Sequence, residues 1–359
     1  MKKVLSTVLA IGIIGANLIT PFMNVEAASV SKAESLVATA EQHAGGLKWQ
    51  ISYELTKEIK QPDMKVFNLT KNAYLAAKQE LSKVSANDKV KLEKRLEDNV
   101  GIHYSRAMGY IDALTSGNKI VDKTTQYNKL FAESPTSDAT EKSYHELSSE
   151  IRKQAILLYR VYGKSTRDAI LAKYKTPGEK ALNATKEVIT AKMSLDTLDR
   201  LIKETADQKT VEAQVAKFSD SLELIQDEEI YFELYDAYQT SIRKDANFLS
   251  QEKEIAEFFK KADEIANEKD VEKVLSLYDS AYPGYADLKE AMESTFKDFD
   301  VVYETTDLEV QYIVDGVAIV IQDQKSTIDK KDVVENTFVY LLKKDEAGNW
   351  KYQDIMEAE

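Results

Sequence analysis

The densest group of side chains that could bind a ligand lies in one short segment, residues 152–175. Its 24 positions hold seven basic side chains and a single acidic one, Asp168. Lys and Arg pair with carboxylates and phosphates, and the guanidinium fork of Arg does so through two parallel hydrogen bonds. The segment therefore indicates a site for an acidic partner. Its basic residues are Arg152, Lys153, Arg160, Lys164, Arg167, Lys173 and Lys175.

Part of this segment follows helical spacing. Steps of seven, four and three residues separate Lys153, Arg160, Lys164 and Arg167. If the helix continues through Gly163, this spacing predicts that one helical face carries all four. The alternative is an ordinary solvated helix face, which is what most charge runs are.

Two tyrosines, Tyr159 and Tyr174, lie beside the basic residues. An aromatic ring can stack on the face of a sugar while a guanidinium group pairs with its carboxylate. The two tyrosines and the seven basic residues are therefore the predicted binding residues for an acidic polysaccharide.

Other chemistry is poorly represented in the composition. The chain has no cysteine and three histidines, which excludes disulfides, thiolate metal sites and a cysteine nucleophile. His145-Glu146 begins like a zinc-protease helix, but Ser149 stands where the second histidine belongs. His43 and His103 are interpreted as solvent-facing or packing residues. We expect no metal, no cofactor and no catalytic residues.

The charge is unevenly distributed. The net charge of −13 argues against nucleic acid as a partner, because phosphate binding depends on clustered Lys and Arg. Residues 28–180 nevertheless hold 25 basic and 19 acidic side chains, whereas residues 221–359 hold 15 and 34. An acidic partner is therefore expected at the N-terminal half alone.

The first 27 residues have the pattern of a secretory signal peptide. Lys2 and Lys3 precede an apolar stretch over residues 4–20, and Val25-Glu26-Ala27 offers small residues for cleavage. The alternative is an uncleaved membrane anchor. We expect an exported protein with no membrane association after cleavage.

The mature chain changes pattern near residue 251. Residues 31–265 show apolar spacing typical of helices, with predicted breaks at Ser116-Gly117-Asn118 and at residues 133–138. Later, Asp315-Gly316 joins two alternating segments, as in a tight hairpin, and residues 345–349 join two more. The sequence predicts long antiparallel helices in elongated bundles, followed by a small α+β domain.

The helical part resembles the N-terminal region of the bacterial S-layer protein SbsC. The resemblance covers roughly residues 28–250 and is carried by Arg160-Val161-Tyr162-Gly163-Lys164-Ser165-Thr166-Arg167-Asp168, by Gln61-Pro62-Asp63 and by Tyr110-Ile111-Asp112-Ala113. It implies triple-helix bundles joined by long helices that bind an anionic secondary cell-wall polymer.

The last part, residues 251–359, resembles the nuclear-transport-factor-2-like, or ketosteroid-isomerase-like, superfamily. Asp270-Val271, Leu277-Tyr278-Asp279 and Gly348-Asn349-Trp350-Lys351 carry this resemblance. It implies a curved antiparallel sheet around an apolar pocket, and some members hold an Asp base and a Tyr donor there. No residue of this chain matches those positions, so a small ligand or a protein is the expected partner.

These observations predict three segments: a signal peptide (1–27), a helical bundle domain (28–250) and an α+β domain (251–359). The expected function is non-covalent binding of an anionic cell-wall polysaccharide at the surface of a Gram-positive bacterium. One alternative is an extracellular enzyme or ligand carrier that uses the C-terminal pocket. Another is a structural surface protein that assembles with itself.

Overall fold

The computed structural model describes the backbone of residues 23–357 and the side chains of residues 29–356. Residues 1–22, most of the predicted signal peptide, lie outside the described part. Helices come first and strands last, as predicted. The helices are α1 (Met23–Gln50), α2 (Tyr53–Thr56), α3 (Met64–Leu81), α4 (Ala86–Leu96), α5 (Ile102–Glu133), α6 (Asp138–Tyr159), α7 (Lys164–Ile170), α8 (Thr176–Lys203), α9 (Gln208–Leu222), α10 (Glu228–Ile242), α11 (Ala246–Asn267), α12 (Val271–Leu275) and α13 (Tyr285–Asp298).

Two short π-helical turns interrupt this series. One (Glu97–Gly101) joins α4 to α5, and the other (Leu171–Lys175) joins α7 to α8. Such turns hold one extra residue per turn and occur often at functional sites. The second contains three of the predicted binding residues.

Aspartate starts four successive helices. Asp207, Asp227, Asp245 and Asp270 are the N-caps of α9, α10, α11 and α12, and each side chain accepts a hydrogen bond from a backbone N–H three residues on. A carboxylate there satisfies one of the free N–H groups of the first turn and suits the positive end of the helix dipole. The helix starts in this region therefore follow directly from the sequence.

The four strands form one antiparallel sheet in the order β1-β2-β3-β4. Asp315 and Gly316 both have positive φ, 49° and 72°, which is the type I′ geometry that matches strand twist, so this predicted hairpin is confirmed. The β3–β4 loop at residues 345–349 is confirmed as well. The strands are β1 (Val301–Val314), β2 (Val317–Ile328), β3 (Asp332–Lys344) and β4 (Trp350–Glu357).

The chain divides into two compact units. Of the described residues, the first contains 23–124 and 147–179, and the second contains 125–146 and 180–357. Each unit therefore holds a part of α5, α6 and α8, in agreement with the predicted long helices. The two units are described separately below.

In the first unit, α1 and α3 pack through small side chains. Ala33, Ala40, Ala44 and Ala77 are fully buried in a core completed by Leu81 and neighbouring residues of α4. Alanine at the contact lets two helix backbones approach closely while retaining the best helix propensity.

The predicted helix end at Ser116-Gly117-Asn118 is wrong, because α5 runs through it. Gly117 lies under the ring of Tyr174, and a Cβ at this position would come within 2.4 Å of the ring carbon Cγ. Glycine within a helix costs only about 1 kcal/mol relative to alanine. Here it makes space for a buried aromatic ring rather than ending the helix.

In the second unit, one hydrophobic core includes both helices and sheet. It extends from Val188 through α9, α10 and α11 to Tyr352 of β4. Tyr238 of α10 stacks on Phe218 at 5.1 Å and on Tyr312 of β1 at 5.5 Å between ring centroids. The predicted domain boundary at residues 250/251 falls inside α11 and inside this core.

Candidate functional site

The basic segment forms a helix end, a loop and a second short helix, all within the first unit. α6 ends at Tyr159 and α7 begins after Gly163, whose φ of 86° lies in the left-handed region. The helix therefore does not continue through Gly163, and the expectation of one continuous basic face is wrong. Residues 160–163, which we call the 160–163 loop, separate the helix that carries Lys153 from the helix that carries Lys164, and Arg160 belongs to the loop.

Three basic side chains of the segment are exposed and unpaired. Arg152, Lys153 and Arg160 are exposed, and none of them forms an ion pair with another of residues 29–356. Beside them, Tyr159 is 51% exposed and Tyr162 62% exposed. Exposed cations and exposed aromatic rings therefore occur together over residues 152–162, and we call these five side chains the basic surface.

The other predicted residues already have partners inside the unit. Lys164 pairs with Asp168 at 2.6 Å, and Arg167 Nη1 donates to the carbonyl oxygen of Val161 at 3.4 Å. Lys173 Nζ donates to the carbonyl oxygen of Ile59 at 2.7 Å. These contacts hold the loop and α7 in place.

Two further residues of the segment are enclosed. Lys175 pairs with Glu179, which raises the pKa of Lys175, and its ammonium nitrogen lies 5.6 Å from the centroid of the Tyr159 ring. Tyr174 is only 5% exposed and packs on Gly117. Its ring has no open face for a sugar, so we leave Tyr174 out of the binding surface.

A cavity of about 270 Å³ opens beside the 160–163 loop. The end of α1, α2, the start of α5, the loop itself and the start of α7 line it. Its polar and aromatic groups include Lys48, Glu54, His103, Arg106 and Tyr162. A hydrogen bond from Ser165 Oγ to Glu54 Oε1, 2.7 Å long, links α2 to α7.

The guanidinium of Arg106 stacks on the exposed ring of Tyr162, with 3.2 Å between the carbon Cζ and the ring centroid. Such a pair keeps the cation oriented while leaving its N–H groups available to an acceptor. Lys48 and Arg106 give the cavity two positive charges against the single carboxylate of Glu54. The cavity can therefore hold an anionic group of a ligand that also contacts the basic surface.

Sequence reasoning missed Lys48 and Arg106 and interpreted His103 as a solvent-facing or packing residue. These residues come from α1 and α5, far from the basic segment in the chain. Neither their spacing nor their neighbours distinguish them from other surface residues. Only the packing of α1, α2 and α5 around the loop brings them together.

His103 reports on the charge of this cavity. Burial lowers the pKa of His103, and the nearby charges of Lys48 and Arg106 lower it further below its ordinary value of 6.5. A bound carboxylate would counteract the effect of these cations and raise this pKa. We expect an imidazole NMR titration with an oligogalacturonate to show this increase for His103.

Neutral maltotriose, which lacks the carboxylate, is the control and should leave the His103 pKa unchanged. An unchanged His103 pKa at saturating oligogalacturonate would place the anion outside the cavity.

Two family models match the chain, each over a part of it. The model of the SbsC C-terminal domain matches residues 48–179, and the model of the C-terminal domain of the anti-sigma-I factor RsgI9 matches residues 257–359. The helical region is therefore SbsC-like, and its matched residues include the whole basic segment and cavity. No curated protein matches the chain.

Solved structures of one protein are similar over most of the chain. The crystal structure of the S-layer protein rSbsC(31-844) is 15% identical with a TM-score of 0.43, covering 90% of this chain and 45% of its own. The structure of SbsC domains 1-6 is 14% identical with a TM-score of 0.42, and the match covers 90% of this chain and 46% of its own. The crystal structure of the N-terminal part of SbsC is 14% identical with a TM-score of 0.42, and the match covers 91% of this chain and 79% of its own. The chain thus spans less than half of the first two.

Among the helices that the structure describes, none is long and apolar enough to cross a bilayer.

Proposed function

We propose that this chain is an exported cell-surface protein whose SbsC-like unit binds an acidic wall polysaccharide without a covalent link. The signal-peptide pattern of residues 1–27 supports export. The match of residues 48–179 to SbsC, an S-layer protein, supports placement at the cell surface. A Gram-positive wall, with its acidic polymers, is the proposed setting.

The basic surface is the observation that carries this proposal. Exposed lysines and arginines on helices commonly pair with a carboxylate one turn away, as Lys164 does here. Arg152, Lys153 and Arg160 lack such partners among the described residues and are close in the chain to the exposed tyrosines Tyr159 and Tyr162. Unpaired cations next to aromatic rings suit a polymer of acidic sugars, because each sugar offers both a carboxylate and a ring face.

The cavity adds a second point of contact. A sugar carboxylate within reach of Lys48 and Arg106 would be partly shielded from water, where charge pairing is stronger than on the open surface. Residues on both sides of the 160–163 loop would then hold one chain of the polymer. No reaction is required of either unit in this proposal.

A wall-binding assay tests the proposal. The mature protein, residues 28–359, should sediment with purified walls that retain their acidic polymer and stay in solution with walls from which it has been stripped. Retention should fall as salt rises from low to physiological concentration, since exposed charges are screened within about 8–10 Å there. Equal retention on stripped walls would contradict polysaccharide binding.

Small-ligand binding by the second unit is a second candidate function. A cavity of about 270 Å³ lies among α11, α12, α13 and the sheet, and several tyrosines and one carboxylate line it. Because side chains do not fill this interior, it has room for a ligand. Concave, largely apolar sites with a few polar groups are where small molecules bind.

A further inference from the structure

The cavity of the second unit has an unusual lining. All four strands contribute to it, as do α11, α12 and α13. Aromatic and small aliphatic side chains make up most of its walls, and Asp263 is the one acidic group among them. No Lys, Arg or His lines it among the residues that the structure describes.

Three tyrosines form a connected aromatic wall. Tyr352 lies between Tyr278 and Tyr340, at 5.0 Å from each between ring centroids. Burial raises the pKa of all three phenols well above the ordinary tyrosine value. Each ring is therefore an uncharged phenol over the whole physiological pH range, and all three line the cavity.

Asp263 supplies the charge. One of its oxygens, Oδ2, accepts a hydrogen bond from the backbone N–H of Thr305 at 2.7 Å, which fixes the carboxylate against β1. The negative charge of Asp263 also contributes to the raised pKa of Tyr340 and Tyr352. The charge of Asp263 therefore acts on the aromatic wall. It would repel an anion in the cavity, and no basic side chain among the described lining residues would offset that repulsion.

We propose that this cavity binds a small organic cation, a molecule with a primary or quaternary ammonium group. Asp263 pairs with the positive charge, and the aromatic lining, which includes Tyr278, Tyr340 and Tyr352, packs against its alkyl groups. An ammonium ion is attracted to an aromatic ring by the quadrupole of its π-system, so an aromatic lining with one carboxylate favours a cation over a neutral molecule of the same shape. The excess of acidic residues over residues 221–359 favours approach of the same partner. This inference rests on the second candidate function, ligand binding in this cavity.

Three molecules of nearly equal shape test the charge preference. Choline is the cation, 3,3-dimethylbutan-1-ol is its uncharged carbon analogue, and 3,3-dimethylbutanoate is the anion. Titration calorimetry on the mature protein should give choline at least tenfold tighter binding than the alcohol and no measurable binding of the anion. Equal or tighter binding of the alcohol would overturn the preference for a cation, although the cavity would still be a ligand site.

Two variants locate the site. Asp263→Asn should weaken choline binding at least tenfold, because the amide keeps the shape and an acceptor for Thr305 but loses the charge. Glu264→Gln, an exposed neighbour on α11 that does not line the cavity, should leave affinity unchanged. Thr295→Trp on α13 should fill the cavity and abolish binding. Unchanged choline binding to either Asp263→Asn or Thr295→Trp would overturn the proposal, and absence of binding by all three molecules would overturn ligand binding in the cavity too.

Discussion

Replacing Arg152, Lys153 and Arg160 together by serine is expected to release the mature protein from cell walls. All three side chains are exposed and unpaired, so the change removes charge without removing packing. Each exposed ion pair contributes about 0.2–1 kcal/mol. Three such pairs correspond to roughly 3- to 150-fold weaker binding, measured by co-sedimentation with purified walls at low and physiological salt.

A matched variant controls for net charge. Lys65, Lys71 and Lys91 are also exposed residues of the first unit, and their replacement by serine removes the same three charges elsewhere. This variant should keep nearly all of its wall binding. If the two variants bind equally well, the attraction depends on overall charge and the basic surface is not the site. Lys164 and Arg167 are left intact because they hold α7 and the loop in place.

Tyr174→Ala is expected to destabilise the first unit by about 3–5 kcal/mol, the range for removing a buried aromatic side chain. The Tyr174 ring is almost fully buried and packs on Gly117 of α5, so its loss leaves a cavity between two helices that cannot close without moving a backbone. Denaturant unfolding monitored by circular dichroism measures the difference.

Tyr174→Phe is the control for this prediction. The ring fills the same space, so stability should change by less than about 1 kcal/mol. Wall binding of folded Tyr174→Phe should equal that of the unmodified protein. A large loss of wall binding in a fully stable Tyr174→Ala variant would instead support the direct sugar contact predicted from the sequence.

Local turn chemistry explains which parts of the sheet could be predicted. Asp315-Gly316 is a hairpin signal because aspartate and glycine tolerate positive φ. The turn between β2 and β3 uses Asp329 and Lys330, also with positive φ, 49° and 60°. Lysine rarely adopts this conformation, so the sequence gives no sign of the turn, and the strands extend further than the apolar alternation indicates.

Two glycines show why the helix ends were harder to predict. Gly117 and Gly163 both occur within helical spacing, yet α5 continues through the first and α6 ends before the second. The propensity difference is about 1 kcal/mol, less than the packing of one buried ring such as Tyr174. Tertiary contacts therefore decide the outcome, and they are not visible in a local pattern.

The candidate site could likewise be predicted only in part from the sequence. The basic segment is contiguous, so its charge and tyrosines are apparent in the sequence. Lys48, His103 and Arg106 come together only through the packing of three helices and a loop. Asp263 and Tyr352 are likewise ordinary residues in the sequence, and only the folded sheet places them around one cavity.

The sheet of this protein cannot be transferred to another chain by itself, because helical residues form part of its core. Phe218, Tyr238 and Phe248 belong to the same core as the strands, and each buried side chain of this size contributes roughly 1.5–3 kcal/mol. A gene fusion that began near residue 251 would expose the apolar side of the sheet and favour aggregation.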